Sequence, residues 1–222
     1  MSKKISLGVT CLLLVSFFVF VSASVARADE DFKRIGVKVG AMYIIPDGHF
    51  DQNFRTATEP LVGKTTIETA LSPFLNLEYF FTRCISTELV LTVSKHDVMF
   101  ENGGVNAGSL WLLPPSLFLK YHPFPIAPVS PYVGFGFNVV IPFDEKLNLF
   151  GVQQKFSVST SVGWAVKFGF DVPIYKCKCF HLYYNADAMY YSTQTDMTIR
   201  GLGKFDVDIN PWIVSTGIGI RF

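Results

Sequence analysis

Residues 212–222, WIVSTGIGIRF, decide the fold class of this chain. Large apolar side chains or threonine occupy every second position from Trp212 to Phe222, and the positions between them are small or polar apart from Ile213. Successive side chains of a β-strand point to opposite faces, so this stretch has one apolar face and one mixed face. Such alternation over about ten residues is typical of a strand that crosses a membrane with its apolar face toward lipid.

The same alternation recurs after residue 32 and predicts eight strands, at 33–45, 69–82, 86–97, 110–121, 131–143, 158–172, 181–193 and 206–222. An even number of antiparallel strands can close into a barrel with no open edge in lipid. The connections alternate between long, at 46–68, 98–109, 144–157 and 194–205, and short, at 83–85, 122–130 and 173–180. Outer-membrane barrels have long external loops and short periplasmic turns, which would place both termini in the periplasm. The predicted fold is all-β, an eight-stranded antiparallel transmembrane β-barrel of the outer-membrane type.

A soluble barrel, with its apolar face inside, is the alternative. Half of the residues are hydrophobic and the mean hydropathy is +0.33. The larger side chains share the apolar face, whereas Gly, Ala and Ser fill the other. Eight strands leave an interior only just wide enough for side chains to fill, so the larger face suits lipid better. The net charge of +1 gives no sign of a nucleic-acid partner.

The N-terminus has the three parts of a secretory signal peptide. Lysines precede an apolar run from Ile5 to Val21, and Ala26-Arg27-Ala28 forms a cleavage site. An uncleaved membrane anchor is the alternative, but the acidic residues after Ala28 favour cleavage. The predicted domains are a signal peptide at 1–28 and a barrel at 29–222.

Three cysteines follow the signal peptide, namely Cys84, Cys177 and Cys179. An odd number in an exported chain leaves at least one thiol unpaired within the molecule. Cys84 falls in the first short turn and the others in the third, on opposite sides of the barrel and about 10–20 Å apart. A disulfide needs Cα atoms within about 7 Å, so we predict that Cys84 pairs with neither. No residue pattern indicates a metal site or a cofactor.

Three stretches resemble the OmpW family of small eight-stranded outer-membrane barrels: Leu113-Pro114-Pro115-Ser116-Leu117, Pro131 to Asn138, and Asn210-Pro211-Trp212 through Gly219-Ile220-Arg221-Phe222. The resemblance spans nearly all of residues 32–222. It implies a location in the bacterial outer membrane and a narrow hydrophobic channel that admits small hydrophobic molecules and releases them sideways into the membrane. The alternative is a structural or host-interacting, adhesin-like barrel without transport.

The C-terminal Phe222, with the alternating residues before it, resembles the last-strand signal that the outer-membrane assembly machinery recognises. The expected partners are therefore this machinery, outer-membrane lipids and small hydrophobic molecules. No nucleic acid is expected among them.

The inward face carries charges at two predicted levels. Those near the periplasmic rim should form a paired plug, because unpaired buried charge costs several kcal/mol; they are Arg34, Glu78, Glu88, Lys120, Asp171 and Arg221. The level above holds the polar residues Lys38, Lys167 and Asp187. The predicted apolar lining of the outer half consists of Met42, Phe74, Trp111, Phe118, Met189 and Ile213.

An apolar lumen above a charged plug leaves the wall as the exit. Proline cannot donate to a ladder and is normally confined to edges, strand ends or bulges. The candidates for a lateral opening are Pro73, Pro114, Pro115 and Pro211. The alternative is that these prolines mark only strand ends or bulges.

Catalytic patterns are weak. Ser94, His96 and Asp97 lie close together in the sequence. Adjacent residues of a strand point to opposite faces, so His96 and Asp97 do not form a pair. The chain is therefore not expected to be an enzyme.

Overall fold

The computed structural model describes residues 32–50, 65–100, 105–149, 152–154, 156–199 and 203–222. The predicted signal peptide and parts of the predicted long connections lie outside these ranges. Within them, no helix is long and apolar enough to cross a membrane. The described strands are β1 (Ile35–Ile45), β2 (Gly48–Phe50), β3 (Thr65–Ile67), β4 (Ala70–Phe80), β5 (Ile85–Thr92), β6 (Ser94–Phe100), β7 (Val105–Leu113), β8 (Ser116–Tyr121), β9 (Ser130–Leu149), β10 (Val152–Gln154), β11 (Phe156–Val158), β12 (Ser161–Lys176), β13 (His181–Ile199), β14 (Gly203–Ile209) and β15 (Trp212–Arg221).

Eight of these strands close into an antiparallel barrel in the order β1-β4-β5-β8-β9-β12-β13-β15, after which β15 returns to β1. The closing ladder runs from Gly36 opposite Arg221 to Ile45 opposite Trp212. Closure satisfies the backbone groups that an open edge would expose to lipid. The predicted eight-stranded antiparallel barrel is confirmed.

The strands continue past the barrel at the end away from the chain termini, which we call the loop end. There β2 pairs with β14, and β14 and β11 pair with the last part of β13. A second extension joins β3, β6, β7, the last part of β9 and β10. These extensions correct the predicted lengths, since β9 ends at Leu149 and β13 at Ile199. The sequence there reads as loop because strands beyond the membrane need no lipid-facing alternation.

Three predicted strands are each divided in two, which is a further correction. The interruptions fall at Val93, at Pro114-Pro115 and at Asn210-Pro211. Proline has no amide hydrogen and cannot donate to the ladder, which accounts for two of the three positions.

The outer wall of the barrel is a continuous apolar surface. Leu71 is 75% exposed, Val162 67% and Phe137 60%, although all belong to long regular strands. Aromatic rings also pack together on this wall, as in the contact of Trp212 with Tyr190, whose centroids are 5.2 Å apart. Exposing this much apolar surface to water would be unfavourable by about 25 cal/mol per Å². The wall therefore requires an apolar solvent, as a membrane provides.

Glycines on the inner wall make room for large side chains. A Cβ on Gly219 would lie 2.3 Å from the ring of Tyr183 and 2.6 Å from Cγ of Lys38. Gly40 and Gly217 likewise accommodate the ring of Phe74. The small residues that alternate with apolar ones in the sequence thus allow a narrow barrel to hold lysines and aromatic rings inside.

Candidate functional site

A network of buried charges fills the half of the lumen nearest the chain termini, and Glu88 lies at its centre. Oε2 of Glu88 lies 2.7 Å from Nζ of Lys38 and 2.7 Å from Nζ of Lys120, while Oε1 lies 2.6 Å from Nζ of Lys167. All four side chains have no exposed surface. One carboxylate therefore holds three ammonium groups that project from three different strands.

Two further carboxylates balance these lysines. Glu78 Oε1 lies 2.8 Å from Nζ of Lys120 and accepts a 2.7 Å hydrogen bond from Ser86. Asp187 Oδ2 lies 3.0 Å from Nζ of Lys167, and its Oδ1 accepts from Ser215 at 2.6 Å. Three lysines thus face three carboxylates, and the network of Lys38, Lys120, Lys167, Glu78, Glu88 and Asp187 is neutral as a whole. We call this set the charge network.

Aromatic rings fill the space between the charged groups. The ring of Tyr132 lies 3.8 Å below Nζ of Lys120, and its hydroxyl donates to Asp187 Oδ2 at 3.0 Å. Toward the termini, Arg221 pairs with Asp171 and lies over the rings of Phe80 and Tyr183, 4.3 and 4.5 Å from their centroids. Rings and ion pairs together leave the charge network inaccessible to water, which makes it a sealed floor.

His122 closes the floor from the segment just beyond the end of β8. Its ring lies 5.2 Å from the ring of Tyr132 and 5.4 Å from that of Phe80, and its Nε2 lies 3.1 Å from the hydroxyl of Ser86. Burial lowers the pKa of His122, and the interaction with Glu78 opposes this shift only in part. The imidazole is therefore uncharged at neutral pH and fits a floor whose charges already balance.

The two charge levels expected from the sequence are one connected network. Lys38 and Lys167 reach Glu88, so the residues expected at the upper level and at the rim are joined. At the terminal rim, Arg34 donates to the carbonyls of Phe80 and Phe81, at 3.4 and 2.9 Å. Its side chain is half-buried there, at the level where the sequence placed it, and its part in the plug stays a prediction. The sequence gives the position of each residue along its strand. It does not show that a lysine side chain is long enough to reach a carboxylate at the next inward level.

Tyr132 and His122 were not singled out in the sequence. Tyr132 lies two positions before Gly134, so the alternation that places Gly134 inside also places Tyr132 inside. His122 lies where the alternation of β8 continues past its last residue. The alternation therefore indicates an inward position for both residues, but an inward tyrosine or histidine is less conspicuous in a sequence than an inward charge.

An apolar cluster lies on the loop-end side of the charge network. Its buried members are Met42, Ile44, Ala70, Phe74, Val90, Phe118, Ala165, Met189, Tyr191 and Ile213. The structure thus brings together five of the six residues expected to form the apolar lining. Trp111 is the exception. It pairs with Phe143, whose exposed ring is on the outer face, so Trp111 also lies outside the barrel.

In the wall beside this cluster, two facing segments are not paired with each other. They are Leu91–Val93 and Leu113–Pro115, and we call the gap between them the wall seam. The ladder on one side ends at Val90 opposite Ser116, and on the other side it resumes at Ser94 opposite Leu112. The register is the same on both sides, so Pro115 lies opposite Leu91 and Pro114 opposite Thr92. The carbonyl of Pro115 accepts from the amide of Val139 on β9 at 3.0 Å, so the backbone of Pro115 faces β9 and that of Pro114 faces the seam. Pro114 thus removes one donor from an otherwise continuous ladder.

The other two prolines differ from this pair. Around Pro211 the pairing continues, because its carbonyl accepts from the amide of Tyr191 at 3.1 Å and Trp212 pairs with Tyr190. Pro73 lies where the β4–β5 ladder ends, and its carbonyl accepts from the hydroxyl of Thr92 at 2.8 Å. The pairing along β13 keeps one register from β14 to β15, so Pro211 marks only the break between those two strands. Pro73 is a strand position whose carbonyl is satisfied by a side chain.

The three cysteines of the described barrel are free thiols. Cys84 forms no bridge with Cys177 or Cys179, as predicted from their turns. The Sγ of Cys177 lies 3.3 Å from both the amide nitrogen and the carbonyl oxygen of Phe180, which stabilises a tight turn at the terminal end.

A closed eight-stranded barrel with an apolar outer wall and a polar, sealed interior defines an outer-membrane β-barrel protein. The sequence model of the OmpW family matches residues 34–222, which is nearly the whole described chain. The chain belongs to the OmpW family, and its location is the bacterial outer membrane.

Two relatives agree with this assignment, and a solved structure shares the fold. The chain is 29% identical to outer membrane protein W of Vibrio cholerae over 199 residues, covering 84% of this chain and 87% of that protein. It is 31% identical to outer-membrane protein y4mB of Sinorhizobium fredii over 158 residues, covering 69% of this chain and 66% of that protein. The crystal structure of OprG from Pseudomonas aeruginosa matches with a TM-score of 0.70 at 24% identity, covering 87% of this chain and 98% of OprG.

Proposed function

We propose that the barrel admits small apolar molecules at its loop end and releases them through the wall seam into the membrane. The observation that carries this proposal is the position of the seam, directly beside the apolar cluster and above the sealed charge network. Val90 and Phe118 belong to the cluster, and Val90 forms the last paired position before the seam. A solute held in the cluster would therefore lie next to the weakest part of the wall.

The charge network opposes a straight path through the barrel. Passage would require Glu88 to separate from its lysines, and breaking a buried ion pair by removing one partner costs about 3–5 kcal/mol. An apolar solute offers the separated charges no replacement. Opening the seam requires less, because Pro114 has no amide hydrogen to donate across it. Lipid on the far side of the seam then solvates the released molecule.

The same proposal sets the orientation and partners of the barrel. The loop end would face the outside and the termini the periplasm, because the short connections lie at the terminal end. Phe222 is half exposed, and its backbone pairs with Ile35 in the closing ladder. This position suits recognition of the last strand by the outer-membrane assembly machinery before the barrel closes.

A disulfide across the seam tests the route. We replace Val93 and Leu113, which lie opposite each other across the seam, with cysteines in a background without Cys84, Cys177 and Cys179. Uptake of a radiolabelled alkane is measured in cells that express the protein, before and after oxidation and again after reduction. The matched control is a cysteine pair at Leu89 and Leu117, which are paired in the intact ladder of the same two strands.

The expected result is loss of protein-dependent uptake on oxidation of the seam pair, with recovery on reduction, and no change for the control pair. Equal uptake through the oxidised and reduced seam would contradict lateral release. If the wild-type protein admits neither the alkane nor an alcohol of the same length faster than cells without it, transport itself is refuted. A structural or host-interacting barrel would then be the better description.

A further inference from the structure

The lumen above the charge network combines apolar residues with uncharged polar ones. The strands β15, β1, β4 and β5 carry the apolar residues Ile213, Met42, Phe74 and Val90, with the buried Ser72 and Thr92 beside them. The opposite side, running from β8 to β13, carries six inward hydroxyl or amide groups: Ser116, Asn138, Ser161, Tyr191, Thr193 and Thr195. All six residues are buried, and none of them carries a charge. We call these six residues the polar band; the apolar Phe118, Ala165 and Met189 lie on the same strands.

The polar band is organised by hydrogen bonds across strands. Asn138 Nδ2 on β9 donates to Thr193 Oγ1 on β13 at 2.9 Å, across the intervening β12. This contact is possible because Gly163 lies between them; a Cβ there would lie 2.3 Å from Thr193 Oγ1. Closer to the charge network, the hydroxyl of Ser116 donates to that of Tyr191 at 2.9 Å. The band thus extends across the lumen wall from β13 to β8, whose first residue, Ser116, borders the wall seam.

One hydroxyl of the band has no partner. Ser161 is 8% exposed, and its Oγ is buried with no hydrogen-bond partner. It lies on the inner face of β12, two positions before Gly163, and so adjoins the Asn138–Thr193 pair. A buried hydroxyl without a partner costs about 1–3 kcal/mol, and such groups in native proteins call for an explanation. A ligand atom able to hydrogen-bond would remove this cost.

We infer that the preferred cargo is an amphiphile, with an apolar body and one uncharged hydrogen-bonding head such as a hydroxyl or carbonyl. This inference rests on the proposed transport function and specifies its substrate class. The body packs against Ile213, Met42, Phe74 and Val90, and the head bonds to Ser161 and to the Asn138–Thr193 pair. A charged head is disfavoured because the band has no counter-ion and the lysines and carboxylates below are paired with one another.

The band also provides a route to the seam. A head that leaves Ser161 meets Thr193 and Asn138, and then Ser116 beside Pro114 and Pro115. The Ser116 hydroxyl is 3.1 Å from the carbonyl of Pro114, so the last polar group of the route lies at the seam itself. An alkane gains nothing from these groups, whereas an alcohol can exchange one hydrogen bond for the next.

The test compares protein-dependent uptake of 1-decanol and n-decane, each taken as uptake with the protein minus uptake without it. Ser161→Ala removes the unpartnered hydroxyl and costs the barrel no internal hydrogen bond, so a change in uptake does not come from misfolding. A second variant, Asn138→Leu with Thr193→Val, removes both partners of one pair together and strands neither. The control is Thr216→Val, which removes an exposed hydroxyl that donates to Tyr184 on the lipid-facing wall.

We expect the wild-type protein to favour decanol, and the decanol-to-decane ratio to fall about fivefold in each band variant, as the loss of one buried hydrogen bond implies. The ratio should be unchanged in Thr216→Val. An unchanged ratio in both band variants, or no preference in the wild type, would overturn the inference while leaving alkane transport intact. Failure of both solutes to enter faster with the protein would instead refute the proposed function, and the inference with it.

Discussion

At the scale of the residue, Glu88 determines whether the floor holds. Its two oxygens contact three lysines at 2.6–2.7 Å, and no water reaches any of them. Ion pairs of this kind add little net stability compared with apolar packing, but removing one partner leaves a buried charge uncompensated. We therefore expect the barrel to remain stable when substitutions keep the charge network neutral, and to be destabilised when they leave it with a net charge.

Glu88→Gln tests this balance. The variant leaves three buried lysines facing only Glu78 and Asp187, so the free energy of unfolding should fall by about 3–5 kcal/mol. The double variant Glu88→Gln with Lys120→Met restores neutrality and should recover much of the loss. Urea unfolding in lipid vesicles, followed by tryptophan fluorescence, measures both. A double variant less stable than the single one would show that charge balance is not what stabilises the floor.

At the scale of the element, the wall seam is a local departure from a regular ladder. Alternation predicted the eight barrel strands because lipid on one side and a narrow lumen on the other impose a period of two. Five of the six expected apolar lining residues lie in the apolar cluster. Trp111 is an odd position like Leu117 and Leu119 on the outer face, and the register is unbroken between them, so strict alternation places it outside. Alternation could not predict that the ladder is interrupted at Pro114 and Pro115 but continues around Pro211. That difference depends on whether the neighbouring strand pairs with the proline segment.

Replacing Pro114 and Pro115 together with valine should close the seam. Valine supplies the missing amides and favours strands, and the register on both sides already agrees. We expect slower backbone hydrogen exchange in residues 86–97 and reduced protein-dependent alkane uptake. Pro211→Val is the matched control, because pairing is continuous around that residue. Faster uptake in the seam variant, or an equal loss in the control, would contradict the assigned role of the seam.

At the scale of the whole molecule, the barrel inverts the usual distribution of polarity, with an apolar exterior and paired charges inside. The fold class and membrane location follow from this inversion and could be predicted from sequence. The connected charge network and the polar band could not, because each joins residues from several strands through side-chain reach. Their separation along the barrel axis is what gives the lumen a sealed end and a receptive end.

The orientation of the molecule can be tested with its own cysteines. Cys179 is exposed in a turn at the terminal end, which we propose faces the periplasm. A bulky, membrane-impermeant maleimide should leave Cys179 unlabelled in intact cells and label it after the outer membrane is permeabilised. Asn102→Cys, in the second predicted long connection, serves as the reporter for the outside. Labelling of Cys179 in intact cells would reverse the orientation.

The most direct test of the central claim, that cargo leaves through the wall and not through the floor, is to locate the cargo itself. A ten-carbon alcohol that carries a photoreactive diazirine is loaded into cells from outside, activated by light, and its attachment sites are mapped by mass spectrometry. The account predicts labels on the apolar cluster, including Met42 and Phe118, and on seam residues 91–93 and 113. Labels on Tyr132, Tyr183 or residues 122–130, with none at the seam, would show passage through the floor and contradict the account.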